Sequence, residues 1–423
     1  MKQPKNPWNP QDEGDHIPID LEWWCAEGIF KSIEDGRNWS FKVVFTCGSR
    51  RKGNNGFFVT LSDIDNNKHY SYRFYKEPDK FKHEKNKVNV ECDESKINGS
   101  YPEYSMIIKD KKNNVVLDLH FKSRALPHWV LQDMTNGILP MGFGYYRYGF
   151  IPKCELTGTM KINNKKFTVS GLGYLEHVWG NWSYSNPFST LKDMKIVIPT
   201  YFKLIQWWLS ENKIKIPKSI SFSSENNLLG YDWAWAVFDN GWSLFYGNIM
   251  CWISDGPATG VLYLSPDGEN YWKFSNIKFH YKELRRSKKY DFYYPSILEL
   301  TAFSGSKKLR LRFKMQMETH EHVKKYNKGK YWRAFVICEG PGKVDGFFLD
   351  ENNKVKLKGA CRIEPQRQVS VIGHNKLKID FTIPKKGLGI DADFFSNYFK
   401  RKVNLKMHFA PKPYLKLKIK KLK

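Results

Sequence analysis

No run of about eighteen uncharged apolar residues occurs in the 423-residue chain, so no segment is expected to cross a membrane as a helix. No Cys-x-x-Cys pair occurs either. The seven cysteines, at 25, 47, 92, 154, 251, 338 and 361, are odd in number and scattered. That argues against a disulfide scaffold or a zinc finger and fits a reducing, cytoplasmic compartment. No G-x-G-x-x-G follows a strand-like run and no P-loop is present, so no nucleotide cofactor is expected. No G-x-S-x-G elbow marks a serine nucleophile. Residues 1–20 are polar and lack an apolar h-region, so they read as a polar extension and not a signal peptide. No metal site is expected: His320-Glu321-His322 offers two imidazoles on one strand face, but no third ligand stands nearby, and an exposed polar strand is the simpler reading.

Acidic residues are scarce relative to basic ones. Asp and Glu number 43 against 69 Lys and Arg, a formal net charge of +26. Such a balance suits an anionic partner such as nucleic acid or a membrane surface, although a generally lysine-rich composition gives the same sum. The charge is scattered in pairs such as Lys307-Lys308 and Lys324-Lys325, and only residues 416–423 form a concentrated basic tail. No nucleic-acid-binding motif accompanies it, so nucleic acid is not the expected partner. An anionic membrane touched peripherally remains one.

Aromatic side chains are abundant, at 16% of residues. Aromatics favour strands and line apolar cavities. Short β-rich runs such as Phe41–Phe45, Phe57–Leu61 and Tyr104–Ile108 are punctuated by turn pairs such as Asn163-Asn164, Asn240-Gly241 and Asp267-Gly268. Many evenly spaced strands predict an all-β protein of sandwich or barrel type. One segment departs from this period. Tyr201, Leu204, Ile205 and Trp208 recur at helical spacing, and Pro199 suits a first helical turn. Lysines flank this helix, so two readings stand: a helix lying on a membrane surface, or a cap over a barrel end.

The chain also repeats itself. Tyr145-Tyr146-Arg147 leads through Gly158 and Gly171 to Glu176, and Tyr331-Trp332-Arg333 leads through Gly346 and Gly359 to Glu364 with the same internal spacing. The halves begin alike, Glu22-Trp23-Trp24 against Asp232-Trp233-Ala234-Trp235. This gives a first barrel over 21–184, an insertion with an amphipathic helix over 185–228 and a second barrel over 229–415.

The most unusual stretch is Gly171-Leu172-Gly173-Tyr174-Leu175-Glu176-His177-Val178-Trp179-Gly180. On a strand His177 and Trp179 share one face, and Glu176 and Val178 share the other. A His beside an indole inside a barrel could face an aromatic cavity with Tyr146 or Tyr174 nearby. It could equally be a strand whose His bonds a backbone carbonyl and whose Trp plugs the barrel floor.

Glu22-Trp23-Trp24, Tyr145-Tyr146-Arg147 and the run into Glu176-His177-Val178-Trp179-Gly180 resemble the AttH/CrtC lipocalin-like family over roughly residues 20–415. That family includes carotenoid 1,2-hydratases and kievitone hydratase-type enzymes, and related folds act as fungal Diels–Alderases. Its usual D-H-x-W-G has Glu176 in place of Asp here. The resemblance implies tandem lipocalin-like antiparallel barrels. It also implies cofactor-independent hydratase, cyclase or isomerase chemistry on an isoprenoid or polyene, in which a carboxylic acid protonates C=C and aromatic faces shelter the cation. His177 and Trp179 carry over from the family element. The acid matches best at Asp232, after Tyr231, with Glu176 as a further carboxyl. Glu22, Trp23, Trp24, Tyr146, Tyr174, Tyr231 and Trp233 are the expected substrate-binding set. The competing readings are a non-catalytic carrier of a hydrophobic molecule and a basic peripheral-membrane scaffold.

Overall fold

The computed structural model describes residues 8–48, 55–76, 81–141, 143–182, 191–212, 219–223, 229–250, 255–257, 260–287, 292–325, 331–372, 377–382, 388–396 and 400–421. Period-two sequence runs become two large antiparallel sheets, each curled into a half-open barrel. Across the main path of the first, the strands run Lys68–Lys76, Asn55–Asp63, Asn38–Cys47, Leu21–Ser32, Lys165–Asn181, Gly144–Ile162, Val115–Ser123, Glu103–Asp110, Ser95–Ser100, Val88–Cys92 and Phe81–Lys82. Across the second they run Trp272–Phe274, Gly260–Ser265, Ser243–Met250, Leu229–Phe238, Asn353–Ile372, Tyr331–Asp350, Lys307–Met315, Phe292–Ser304, Asn276–Ser287 and Asp255–Pro257.

The two orders match strand for strand over most of their length, and so does the register at the centre. Phe30 faces Gly171 across its ladder, and Phe238 faces Gly359. Gly158 faces Val169, and Gly346 faces Leu357. Both Gly158 and Gly346 lie at positive φ, 145° and 158°. A Cβ at Gly158 would lie 2.1 Å from the Asp118 carbonyl oxygen, and one at Gly346 1.9 Å from that of Arg310. Only glycine lets the neighbouring strand approach so closely. Cys25 faces Glu176 and Trp233 faces Glu364, so the two glutamates occupy equivalent places. The register corrects one expected match. Counting back from Phe30 and Phe238, Trp24 corresponds to Asp232 and Trp23 to Tyr231; Glu22-Trp23-Trp24 and Asp232-Trp233-Ala234 are two residues out of step.

Residues 377–421 do not continue the second curled sheet. The strands Leu377–Thr382, Leu388–Ser396, Arg401–Ala410 and Tyr414–Lys421 join Ser219–Ser223 in a separate five-stranded sheet. The expected basic tail is therefore largely strand. Its lysines 416, 418 and 420 alternate with Leu415, Leu417 and Ile419, which is a strand period and not a disordered charge run.

Residues expected as a polar extension are likewise part of the fold. Trp8, Asp12, Glu13, Asp15 and Asp20 are buried. The helix of the insertion spans Met194–Asn212, longer than expected, so Pro199 lies inside it and not in its first turn. The cause is a second apolar stripe. Val197, Tyr201, Leu204 and Trp208 share one side, and Ile198, Phe202, Ile205 and Leu209 share the next. Val197 is buried and Leu204 packs inward with Trp207, whereas Ile205, Phe202 and Leu209 are exposed. Trp207 and Trp208 are half-buried. Among the described residues no helix is long and apolar enough to cross a membrane.

The interiors of both curled sheets are packed. Trp39, Phe41, Phe45, Phe57 and Phe121 fill the first, and Tyr246, Phe274, Leu311, Phe313 and Leu357 fill the second. Each such side chain contributes roughly 1.5–3 kcal/mol by leaving water. Among the described residues, aromatic rings that suggested a ligand cavity pack against one another in these interiors. Beside His177 and Trp24 the remaining space is 20 Å³, about one water molecule.

Candidate functional site between the two sheets

Strand alternation sends every second side chain of the central strands into its own sheet's core and the others toward the opposite half. Trp24, Ala26, Leu175 and Trp179 point into the first core; Ala234, Ala236, Cys361 and Ile363 point into the second. Tyr174, Trp233, Trp235 and Phe245 meet between the halves, with Phe150 stacked on Phe245 at 4.2 Å and Tyr174 5.2 Å from Trp233. Charged groups share this shell.

Lys42 lies 3.1 Å from Glu27 and 3.6 Å from Glu339, and it donates to Glu364. Arg362 lies with Nε 2.7 Å from Glu27 as an ion pair, and it donates from Nη1 to the Ser40 hydroxyl. His322 Nε2 bonds Glu339 at 2.7 Å and lies 2.8 Å from the Thr60 hydroxyl, while Arg73 approaches its Nδ1 at 3.4 Å. Glu27, Lys42, Glu339, Arg362, Glu364 and His322 are all buried, so these ion pairs carry a large desolvation cost and hold only as a set. Burial opposes the charge on Lys42, but Glu27 and Glu364 outweigh it and hold the ammonium well above its usual pKa. Burial likewise opposes the charge on Glu339; His322 and Lys42 outweigh it and keep that carboxyl well below its usual range.

Glu176 sits at the edge of this cluster in a different environment. Its carboxylate accepts from the Trp23 indole N–H at 2.9 Å, from the Tyr174 hydroxyl at 2.9 Å and from the Tyr148 hydroxyl. All three donors are neutral. The residue is half-buried, and burial raises its pKa despite the Lys42 charge nearby. A carboxyl so placed can hold a proton closer to neutral pH than a surface glutamate can, within a wall of indole and phenol rings.

The other expected site residues divide between places. His177 and Trp179 face inward, but the N-terminal segment covers them. His177 Nδ1 bonds the Asp12 carbonyl at 2.8 Å and Nε2 bonds Glu22 at 2.9 Å. Trp24 stacks on His177 at 4.7 Å and donates its indole N–H to the Glu13 carbonyl at 3.0 Å. His16 stacks on Trp179 at 3.7 Å and reaches Glu22 at 2.8 Å. Burial lowers the His177 pKa despite the Glu22 carboxylate. Tyr174 lies on the Glu176 face and not beside His177. Tyr146 packs near Trp182, with ring centroids 5.6 Å apart. Asp232 is fully buried within the second half, where Arg367 pairs with it at 2.8 Å and Tyr281 donates to it. It is thus separated from Glu176 by the central strand itself. Tyr231 donates to Glu364. His322, expected on an exposed strand, is buried because Glu339 and Thr60 receive it.

Solved structures with a similar fold include two with TM-scores above 0.5. One, of a protein from Nitrosomonas europaea assigned as AttH, superposes with a TM-score of 0.57 at 15% identity, covering 86% of this chain and 99% of the other. The chain has the AttH-like tandem lipocalin fold. Kievitone hydratase from Nectria haematococca shares it, with a TM-score of 0.53 at 12% identity over 86% of this chain and 97% of the other. No family model matches the sequence. No curated protein matches it either.

Within this AttH-like fold, sequence reasoning missed Glu27, Lys42, Tyr148, Glu339 and Arg362. A signal was present for three of them. Glu27 stands in Cys25-Ala26-Glu27-Gly28-Ile29, and Lys42 in Phe41-Lys42-Val43-Val44. Arg362 follows the same pattern in Ala360-Cys361-Arg362-Ile363. A lone charge inside an otherwise apolar strand is either on a solvent face or paired across a buried one.

Proposed function

We propose that the protein is a cofactor-independent hydratase or cyclase acting on a hydrophobic, alkene-bearing substrate, with Glu176 as the proton donor. The observation that carries this reading is the environment of Glu176, a half-buried carboxyl with raised pKa whose hydrogen-bond donors, Trp23, Tyr148 and Tyr174, are all uncharged. Protonated Glu176 gives its proton to one carbon of a C=C bond. The positive charge develops on the other carbon, and aromatic faces favour it. Water then adds its oxygen to that carbon and returns a proton to the Glu176 carboxylate, so the net change is addition of one water. Attack by a second C=C in place of water would close a ring and move the charge to a further carbon, which then loses a neighbouring proton to the Glu176 carboxylate. His177 and Glu22 take a supporting part, holding the N-terminal segment against the strand that carries Glu176. The name of kievitone hydratase is consistent with this chemistry on the shared fold.

A substrate of this class dissolves in membranes. The exposed stripe Ile198, Phe202, Ile205 and Leu209, with exposed Lys192 and Lys195 beside it, fits an anionic bilayer surface, and the opposite side of the same helix packs on the aromatic shell through Leu204 and Trp207. Each lysine near such a surface contributes roughly 1 kcal/mol, less in salt.

The decisive experiment starts from protein purified natively and extracted into organic solvent, with mass spectrometry of what it retains. The retained alkene, or a panel of prenylated phenols and polyenes, is then incubated in oxygen-18 water. The expected result is a product carrying one labelled oxygen with wild type and none with Glu176→Gln. Equal turnover by both proteins would overturn the assignment of Glu176, and a retained ligand that is never altered would mark a carrier.

A further inference from the structure

His16, Glu22 and His177 lie away from the Glu176 face, and their contacts do not balance as an isolated hydrogen-bond network. His177 Nδ1 lies 2.8 Å from the Asp12 carbonyl oxygen, which can only accept. The proton of a neutral imidazole must therefore sit on Nδ1. That leaves the Nε2 lone pair aimed at the Glu22 carboxylate 2.9 Å away, which also only accepts when ionised. Nδ1 of His16 lies 2.8 Å from the same Oε1 atom. Glu22 is fully enclosed and His177 is nearly so. The group is thus one positive charge short: either an added proton or a metal ion must stand between Nε2 and the carboxylate.

We propose that His16, Glu22 and His177 form a site for a divalent cation of the zinc class, and that the bound ion fastens the N-terminal segment across the open end of the first sheet. The donor set is two imidazole nitrogens and one carboxylate oxygen, with all three ligand atoms within 4.8 Å of one another. Tetrahedral zinc with bonds of about 2.0–2.1 Å needs ligand atoms roughly 3.3 Å apart, so the two contacts at 2.8–2.9 Å open by about half an ångström to admit it. The surroundings have the form a metal site requires. The Asp12 carbonyl fixes the tautomer of His177, as second partners of metal-bound imidazoles do. Trp24 and Trp179 hold the two rings by stacking. Water fills the fourth position; the Cys47 thiol lies 3.9 Å from the other Glu22 oxygen, outside the ligand group. His16 gives the ion a way in, because its side chain is 22% exposed while the other two ligands are enclosed.

The ligands join two parts of the chain. Glu22 and His177 belong to adjacent strands, and His16 belongs to the covering segment. Binding therefore couples to the docking of residues 8–20. Full-length protein stripped with chelator is titrated with zinc alone by calorimetry, with metal content and melting temperature measured in parallel. The expected result is one zinc per chain and a melting temperature that rises with zinc, together with protection of the N-terminal segment from limited proteolysis. His16→Ala, at the partly exposed ligand, is expected to lose at least tenfold in affinity and the zinc-dependent rise, while remaining folded without metal. Glu22→Gln is the second variant, read only if its circular dichroism is that of wild type. Less than a tenth of an equivalent of zinc on wild type, or undiminished binding by His16→Ala, would overturn the site. Hydration at Glu176 is read separately, so either proposal can fail alone.

Discussion

Glu176 and Glu364 hold the same place in two halves built to one plan, yet their surroundings differ in kind. Glu364 accepts from Lys42 and Tyr231, so a full positive charge answers it. Glu176 accepts from an indole and two phenols, and among the described residues it has no ion-pair partner of its own. Burial raises the pKa of both, but only Glu364 is locked to a cation that also binds Glu27. A duplicated position has thus taken two roles. One copy ties the halves together, and the other faces uncharged donors.

The largest expected effect tests that division. Glu176→Gln keeps the shape but cannot give a proton to carbon, so turnover should fall by about 10²–10⁴, the usual worth of a positioned acid. The wild-type rate should be highest at low pH and fall as pH rises through the raised pKa of Glu176, because the protonated form is the active one. Stability carries the same sign. A carboxyl whose folded pKa is raised weakens the fold as pH climbs from the ordinary carboxylate value through the raised one, so Glu176→Gln should remove that fall in stability. Glu22 behaves oppositely. Burial alone would raise its pKa, but the imidazoles beside it, His16 first, hold it low, so its stabilisation is present above the usual carboxylate pKa and lost as pH falls through the lowered one.

Next in size is Lys42→Met, which leaves Glu27, Glu339 and Glu364 buried without their shared ammonium. A loss of about 3–5 kcal/mol is expected by chemical denaturation, since stripping one partner from a buried ionic set strands the others. A loss under 1 kcal/mol would mean that Glu364 is as free as Glu176, and the contrast between the halves would collapse. Smaller again are Gly158→Ala and Gly346→Ala. Each should cost about 1–3 kcal/mol, from positive φ and the carbonyl that its Cβ would strike. Similar losses in the two variants would sharpen the equivalence of the halves, and one silent variant would break it. The smallest effect is at the helix. Phe202→Ser with Ile205→Ser should reduce flotation with anionic liposomes severalfold and leave the melting temperature unchanged. A drop in melting temperature would instead show that this face is covered in solution.

The all-β architecture and the internal repeat were legible because period-two runs and spaced glycines are local signals, and local signals survive without knowledge of what packs where. The site was legible only in part. Glu176 and His177 stood out as neighbours, but alternation sends them to opposite faces, and which face meets the other half is decided by residues some 190 positions away. Asp232 was expected from its place after Tyr231, and the sequence does not show that Arg367 and Tyr281 hold it within the second half. Lys42 reaches Glu364 across the whole chain, and no spacing in the sequence encodes such a pair.

The strand Tyr414–Lys421 lies at the outer end of the five-stranded sheet, with one long edge free of any partner strand among the described residues. Such an edge is a template for joining a second molecule, yet every other residue along its centre is lysine. Two copies brought edge to edge would stack rows of like charge at strand spacing. The alternation of leucine and lysine is therefore expected to keep such edges apart. High salt or acetylation of those lysines would weaken it, and the protein should then begin to self-associate through this edge before it loses any of its fold.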